Sequence, residues 1–318
     1  TQAKRQIGSI INPIVYATAF KSGMSPRQQV DDGPIVAGEI DGAPRNWRPS
    51  NSDGKFLGVQ AAEFGLIRSR NTMTVRVGNF AGIENVRSTA DSLGLGELPT
   101  TPAVYLGSFE QSLKNIVTAY TIFPNGGFLH RPYVISEIRT KDGQVVYRSG
   151  TMGYRAVSPG AAVMTGRILE KTIDSGTGAQ VRSLGFRAPA GGKTGTTNNY
   201  KDAWFVGFSE SLTAGVWVGL DQNDRTISGG YGSRLALPVW TEVMKAADAK
   251  SYSMGKLGFS GAMSKVELCA GSGLVPTKYC RQAGKAALVE MPGDMVPKKQ
   301  CPHRHDDDRS LLEKAFTR

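Results

Sequence analysis

Apolar and polar positions in the first 250 residues switch between helical spacing and strand-like spacing. After Ser9, apolar residues recur at helical spacing from Ile10 to Ala19, and Gly23 is a typical residue to end such a helix. Residues 31–54 are polar and rich in Gly, Pro and Asn, which predicts a long surface loop. Further helices are predicted over residues 60–70, 109–123, 161–173 and 237–247.

The clearest strand patterns lie in the second half of this region. Residues 133–139 and 144–148 predict a hairpin. Residues 191–197, 203–210 and 212–221 predict three consecutive antiparallel strands. Helices before and after a compact antiparallel sheet predict an α/β/α sandwich of the α+β class, with helices on both faces of the sheet.

Composition changes near residue 250, where Gly, Pro, Lys and Cys become frequent. We therefore expect residues 1–250 to form the main domain and residues 251–318 to form a separate C-terminal extension. The chain begins at Thr1 with neither an initiator Met nor a signal sequence, so we expect it to be cut from a longer protein.

The chain carries 38 basic and 27 acidic residues, for a net charge of +11, which favours an acidic partner such as nucleic acid, anionic lipid or an acidic polymer. The basic residues are spread along the chain and are not interleaved with aromatic residues, so we expect no nucleic-acid partner. No apolar run is long enough for a membrane span.

Three cysteines, Cys269, Cys280 and Cys301, all lie in the last fifth of the chain. With His303 and His305 they offer ligands that suit zinc, but their spacing fits no compact zinc pattern. A Cys269–Cys280 disulfide is the favoured interpretation if the protein is exported. We assign no metal and no cofactor at this point.

Two short motifs carry the candidate chemistry. Lys193-Thr194-Gly195 lies on a predicted strand, where backbone groups can pair with an extended peptide while the ammonium and hydroxyl hold a carboxylate. Ser69-Arg70-Asn71 follows a predicted helix and has the form Ser-x-Asn. Each motif alone is also compatible with an ordinary strand end or helix cap. A Ser-His-Asp triad that uses His130 is conceivable, but the sequence has no Gly-x-Ser-x-Gly nucleophile elbow to support it. We therefore favour a solvated loop histidine.

These motifs and their flanks resemble the transpeptidase domain of class A (bifunctional) penicillin-binding proteins, a family of serine penicillin-recognising enzymes. Residues 5–16 are similar to the family's active-site helix, Arg-Gln-Pro-Gly-Ser-x-x-Lys-Pro-x-x-Tyr. The resemblance extends over essentially the whole chain, including the cysteine-containing tail. Other stretches in family order are Val30-Asp31-Asp32, Pro49-Ser50-Asn51, Phe56-Leu57-Gly58, Ala119-Tyr120, Asn125-Gly126-Gly127, Gly176-Thr177-Gly178-Ala179, Asp202-Ala203-Trp204-Phe205 and Trp217-Val218-Gly219.

The resemblance implies that Ser9 is a nucleophile that attacks the penultimate D-Ala carbonyl of a peptidoglycan stem peptide. Ser69 would relay a proton to the leaving amine, and Asn71 would hold the substrate amide. Lys193 and Thr194 would hold the terminal carboxylate.

The strand that carries Gly195 and Thr196 would lie alongside the substrate. The backbone N–H groups of Ser9 and Thr196 would form the oxyanion hole.

The chain departs from the family pattern at Asn12, where the motif has the lysine that takes the proton of the nucleophile. A carboxamide has no basic lone pair near neutral pH, so Asn12 cannot serve as a general base. The string Ser52-Asp53-Gly54-Lys55 has the right letters but lies in the Gly-rich loop, and we do not expect it to replace the motif.

Two hypotheses therefore remain open. The domain is either an active D,D-transpeptidase whose base comes from elsewhere, for example from Lys193 with a lowered pKa, or a catalytically impaired scaffold that binds stem peptide or β-lactam. A β-lactamase is less favoured because no Glu lies in a matching deacylation motif.

The resemblance also implies a cellular setting. Stem peptides ending in D-Ala-D-Ala and β-lactams would be the ligands, and no cofactor is implied. A membrane anchor, a glycosyltransferase domain and the first strands of the sheet would precede Thr1, and the domain would lie on the extracytoplasmic face of the bacterial cytoplasmic membrane.

Overall fold

The computed structural model describes residues 2–150, 153–197, 200–220, 229–258 and 263–305. The α-helices within these ranges are α1 (Asn12–Lys21), α2 (Ala62–Ile67), α3 (Asn71–Ala81), α4 (Ile83–Ser92), α5 (Leu113–Tyr120), α6 (Pro159–Ser175), α7 (Gln180–Ser183), α8 (Gly232–Ala249) and α9 (Lys278–Gln282). The strands are β1 (Lys4–Gln6), β2 (Gln29–Asp31), β3 (Val59–Ala61), β4 (Glu110–Ser112), β5 (Phe128–Leu129), β6 (Glu137–Arg139), β7 (Val145–Arg148), β8 (Tyr154–Arg155), β9 (Gly191–Thr196), β10 (Asp202–Phe208), β11 (Thr213–Gly219), β12 (Met263–Cys269) and β13 (Ala286–Pro292).

Strands β9, β10 and β11 form the central sheet, with β10 in the middle and both pairings antiparallel. Successive side chains of β10 face opposite sides. Phe208 stacks on Phe123 on one side, and Phe205 packs against Trp240 of α8 on the other. The predicted α/β/α sandwich is therefore confirmed. Its three predicted strands are confirmed too, since each observed strand begins and ends within two residues of the predicted bounds. Asp221, where the third strand was expected to end, lies outside the described residues.

Helix α1 lies inside the larger core, which is the cluster of buried apolar residues on the Phe208 side of the central sheet. Residues 12–20 of this helix are all buried. An apolar surface on every side is what a fully enclosed helix requires. A 3₁₀ turn, Gly8–Ile11, leads into the helix, and the Tyr120 hydroxyl donates a hydrogen bond to the carbonyl of Ile10 at 2.7 Å. The helix predicted after Ser9 is confirmed. The hydrogen bond from Tyr120 anchors its N-terminal end, next to Ser9.

Several predicted helices have different bounds in the structure. The helix expected over residues 109–123 spans only α5, because residues 110–112 pair with β1 and Ser112 caps the helix by accepting a hydrogen bond from the N–H of Asn115. Residues 59–61 likewise form β3, so α2 is shorter than predicted. Helix α8 begins at Gly232, and Pro238 lies inside it. Helices α3 and α4 were not predicted.

The hairpin of β12 and β13 lies beside α6, where Arg167 and Glu290 form an ion pair at 2.8 Å. The N–H of Gln29 on β2 also donates to the carbonyl of Ala270 at 2.7 Å. These contacts hold the segment beyond residue 250 against the larger core. Among the described residues, no helix has the length and apolar character needed to cross a membrane.

The predicted Cys269–Cys280 disulfide is wrong: Cys269, Cys280 and Cys301 are all free and buried. The fold brings Cys301 and His305 to the same point as the other two sulfurs, so Cys269 packs against several partners and not against Cys280 alone. The sulfurs of Cys269 and Cys301 are 3.6 Å apart, far beyond the bond length of about 2.05 Å in a disulfide.

Candidate active site

A polar cleft of about 840 Å³ opens between the 3₁₀ turn, the end of β9 and the loop that precedes α3. Of the residues that sequence analysis assigned to the site, the structure brings five together along its walls. They are Ser9, Ser69, Asn71, Thr194 and Thr196. Lys193 and Asn12 are fully buried and do not line the cleft.

Gly8 positions Ser9 against the end of β9. Its φ is +53°, which is the left-handed region, and a Cβ at this position would lie 2.6 Å from the carbonyl oxygen of Thr196. Gly195 packs equally tightly, since a Cβ there would lie 2.5 Å from Ile10. The glycines therefore let the 3₁₀ turn and the strand approach closely, which sets the Ser9 backbone beside that of Thr196.

Lys193 and Ser69 form the best-defined polar pair of the site. The Lys193 ammonium donates to the Ser69 hydroxyl at 2.7 Å and to the carbonyl of Thr194 at 2.9 Å. Burial lowers the pKa of Lys193 to about 7, because desolvation penalises its charged form. Near neutral pH a substantial fraction of this lysine is a neutral amine, which is able to accept a proton.

Ser69 itself has a φ of +56°, an uncommon conformation for a residue with a Cβ. The turn is held by its neighbour Arg70, which donates to the buried Asp32 carboxylate at 2.9 Å and to Asp53 at 2.8 Å. Although burial acts to lower it, the bonds to Asp32 and Asp53 raise the pKa of Arg70. A backbone in a sparsely populated conformation persists only where such contacts over-determine it.

Asn71 is the first residue of α3, and its position is fixed from the loop side. Its side-chain amide donates to the carbonyl of Ser50 at 2.8 Å, and its N–H donates to the Asn51 side chain at 2.8 Å. Asn51 is buried and also bonds Asp32 and Thr72. The Ser69-Arg70-Asn71 motif therefore rests on a satisfied buried network.

Asn12 contrasts with this network. Its carboxamide nitrogen and oxygen are both buried, and neither has a hydrogen-bond partner among the described residues. An unpaired buried polar group costs about 1–3 kcal/mol. The structure thus places a neutral side chain, without a partner in the described part of the chain, where the family pattern has a lysine.

Sequence analysis gave no role to several residues that shape the cleft. Thr177 accepts a hydrogen bond from the Thr194 hydroxyl at 2.9 Å. Tyr200 and Tyr231 join their hydroxyls at 2.7 Å and both line the cleft. Thr177 and Asn51 lie in stretches that matched the family order, so a signal existed for them. Tyr200 and Tyr231 lie in no such stretch.

The rejected candidates stay outside the chemistry. No histidine lines the cleft in the described residues, and His130 is exposed elsewhere. Ser52 lies at the wall of the cleft, but Ser52 and Lys55 are exposed loop residues, and no hydrogen bond joins their side chains in the described part of the chain. Neither residue provides a buried base for a nucleophile.

Comparison with known proteins places this geometry in a family. Residues 1–245 match the family described as penicillin binding protein transpeptidase domain. Penicillin-binding protein 1A of Rickettsia conorii is 33% identical over 271 residues, which cover 78% of this chain and 34% of that protein. Penicillin-binding protein 1A of Neisseria lactamica is 34% identical over 257 residues, covering 78% of this chain and 32% of that protein.

Solved structures agree with these sequence matches. Penicillin-binding protein 1A from Haemophilus influenzae superposes with a TM-score of 0.80 at 25% identity, over 95% of this chain and 50% of that one. The PonA1 protein from Mycobacterium tuberculosis, solved in complex with penicillin V, gives a TM-score of 0.69 at 24% identity, over 80% of this chain and 72% of that one.

The chain belongs to the penicillin-binding protein transpeptidase domain family. The resemblance to the class A transpeptidase domain is confirmed, and so is the penicillin-binding fold. The chain spans about one third of the length of the curated relatives that it matches.

Proposed function

We propose that this chain is a D,D-transpeptidase domain that crosslinks peptidoglycan stem peptides through an acyl-Ser9 intermediate. The observation that carries the proposal is the 2.7 Å hydrogen bond between Lys193 and Ser69 beside the cleft that holds Ser9. It supplies a buried amine with a pKa near 7 to a site whose motif lysine is replaced by Asn12.

In the acylation step, the Ser9 hydroxyl oxygen bonds to the penultimate D-Ala carbonyl carbon. Its proton passes by way of the Ser69 hydroxyl to the neutral amine of Lys193. The backbone N–H groups of Ser9 and Thr196 stabilise the oxyanion. When the C–N bond breaks, the proton returns through Ser69 to the nitrogen of the departing D-Ala.

The second half of the reaction reverses this path. An acceptor amine attacks the acyl carbon and gives up a proton to the Lys193–Ser69 pair. Ser9 leaves as an alkoxide and recovers that proton. One proton thus passes from the acceptor amine through the Lys193–Ser69 pair to Ser9. Lys193 ends as a neutral amine, as it began.

Substrate positioning falls to the other walls of the cleft. The Asn71 amide holds the stem-peptide amide, and Thr194 with its partner Thr177 holds the terminal carboxylate. Gly195 lets β9 lie close against the 3₁₀ turn that carries Ser9, and the edge of this strand pairs with the extended peptide. A β-lactam would enter as a mimic of the same D-Ala-D-Ala ligand.

The proposal includes a cellular location and neighbouring domains. Peptidoglycan lies outside the cytoplasmic membrane, so the domain acts on the extracytoplasmic face, held there by an anchor in the longer protein. A glycosyltransferase domain in the same protein would supply the glycan strands. Residues 1–250 would form the transpeptidase domain, with 251–318 as its extension.

Covalent labelling by a fluorescent penicillin tests this function. The intact protein should label, Ser9→Ala should not, and a peptide map should place the adduct on Ser9. Asn12→Lys serves as the matched control because it restores the family motif. Labelling of Asn12→Lys alone would contradict the proposal and favour a scaffold that binds without reacting. Rapid release of hydrolysed penicillin would indicate a β-lactamase instead.

A further inference from the structure

Four side chains with metal-binding atoms meet at one point behind the hairpin of β12 and β13. Cys269 ends β12, Cys280 lies in α9, and Cys301 and His305 follow in the last described segment. Their three sulfurs and one ring nitrogen all lie within 4.8 Å of one another. The three cysteines are buried and His305 is half-buried.

We infer that these four residues form a zinc site of the Cys₃His type. Tetrahedral Zn²⁺, with bonds of about 2.3 Å to sulfur and about 2.0 Å to nitrogen, requires sulfur pairs about 3.8 Å apart and sulfur–nitrogen pairs about 3.5 Å apart. The Cys269 and Cys301 sulfurs are 3.6 Å apart, and His305 Nε2 lies 3.2 and 3.6 Å from them. These three separations are close to those of ligands on one shared ion, and the Cys280 sulfur lies within 4.8 Å of the same atoms.

The ligand set fits zinc better than a hard cation. Thiolate sulfur and imidazole nitrogen are ligands of zinc, whereas Ca²⁺ and Mg²⁺ take oxygen ligands. Cys301 and His305 have three residues between them, which lets both reach one ion from a single turn of chain. Four protein ligands close the coordination sphere, as in structural zinc sites.

Thr277 holds one of the four ligands in place. The N–H of Thr277 points at the Cys280 sulfur at 3.3 Å, and the Thr277 hydroxyl lies 3.3 Å from the same sulfur. Such hydrogen bonds orient a metal ligand and hold it in place. On binding Zn²⁺, each cysteine thiol loses its proton to solvent and the imidazole binds in its neutral form.

A disulfide would engage only two of the four clustered side chains. Bonding any two of the three cysteines leaves the third thiol and the His305 ring without a covalent role. One zinc ion engages all four groups at once. It also fixes the hairpin, α9 and the chain near residue 305 to one another, immediately beside Ala270, whose carbonyl accepts from Gln29 of the transpeptidase core.

The first test is the metal content of the purified protein. We expect one equivalent of zinc per chain by mass spectrometry, and none in a Cys269→Ser and His305→Ala double variant. His303→Ala is the matched control, because His303 is exposed two residues from His305 and outside the cluster. It should keep its zinc. His305→Ala alone should weaken zinc affinity by more than the roughly 10–100-fold that loss of a group merely supporting a ligand costs.

A second measurement uses the unmutated chain, so it does not depend on a variant that folds. After removal of zinc with a chelator, added Co²⁺ should give the visible absorption of a tetrahedral ion with thiolate charge-transfer bands, and Zn²⁺ should abolish it. Two results would overturn the inference: a Co²⁺ spectrum without thiolate bands, or a purified protein that lacks zinc and has two of these cysteines joined as a disulfide.

Discussion

Asn12 and Lys193 divide between them the properties that one lysine has in the family motif. Asn12 lies on the first turn of α1, three residues after Ser9, the proposed nucleophile, but it has no basic group. Lys193 has a basic group with a pKa lowered by burial to about 7, and it reaches the cleft only through Ser69. The proposed mechanism therefore depends on a pair 124 positions apart in sequence.

Removing the unpaired carboxamide at Asn12 should stabilise the protein. Asn12→Leu keeps a similar volume and deletes two buried polar atoms that have no partner in the described residues, so we expect the free energy of unfolding to rise by about 1–3 kcal/mol. Denaturant unfolding measures this change.

Asn51→Leu is the matched control for Asn12→Leu. Asn51 is equally buried, but it bonds Asp32, Thr72 and the N–H of Asn71. Its loss leaves charged and polar partners unsatisfied, so we expect a destabilisation of about 2–5 kcal/mol. Equal destabilisation in the two variants would show that Asn12 has bonding that our account omits.

At the scale of elements, the close approach of the 3₁₀ turn to β9 determines where Ser9 lies. Gly8→Ala adds a Cβ 2.6 Å from the Thr196 carbonyl oxygen at a residue whose φ is +53°. We expect a loss of about 2–4 kcal/mol in stability and slower acylation, because the turn must move away from the strand.

Gly23→Ala separates the two effects in that prediction. Gly23 also has a positive φ, of +98°, but nothing lies within 4 Å of its added Cβ. We expect it to lose only about 1 kcal/mol and to label with penicillin at the rate of the unmutated protein. Thermal unfolding and penicillin labelling measure both quantities, and identical results for Gly8→Ala and Gly23→Ala would contradict the account.

The elements that sequence predicted best are those with a strong local pattern. The strands β9, β10 and β11 and helices α1 and α6 have clear periodicity and turn residues at their ends. Helix α3 was missed because Asn71–Ala81 contains two threonines and two valines, which favour strands, and its helix depends on packing against α1. Helix α5 was predicted too long because pairing of β4 with β1 is a long-range event.

At the scale of the whole molecule, sequence order indicated the site but could not supply its contacts. Family-like motifs identified Ser9, Ser69, Asn71 and the Lys193 strand. Only the fold shows that Lys193 bonds Ser69 and that Asn12 has no partner in the described residues. The cysteine cluster is similar, because gaps of 10 and 20 residues separate its cysteines and only the folded chain brings them together.

The central claim is that Lys193 supplies the base for acylation of Ser9. The direct measurement is the rate of acyl-enzyme formation with penicillin, read by intact mass from pH 5 to 9. The protonated lysine has no lone pair, so the rate should rise about tenfold per pH unit below 7 and level off above it. Lys193→Met should lower the plateau about 10²–10⁴-fold and remove the rise. An unchanged pH profile in Lys193→Met would contradict the account.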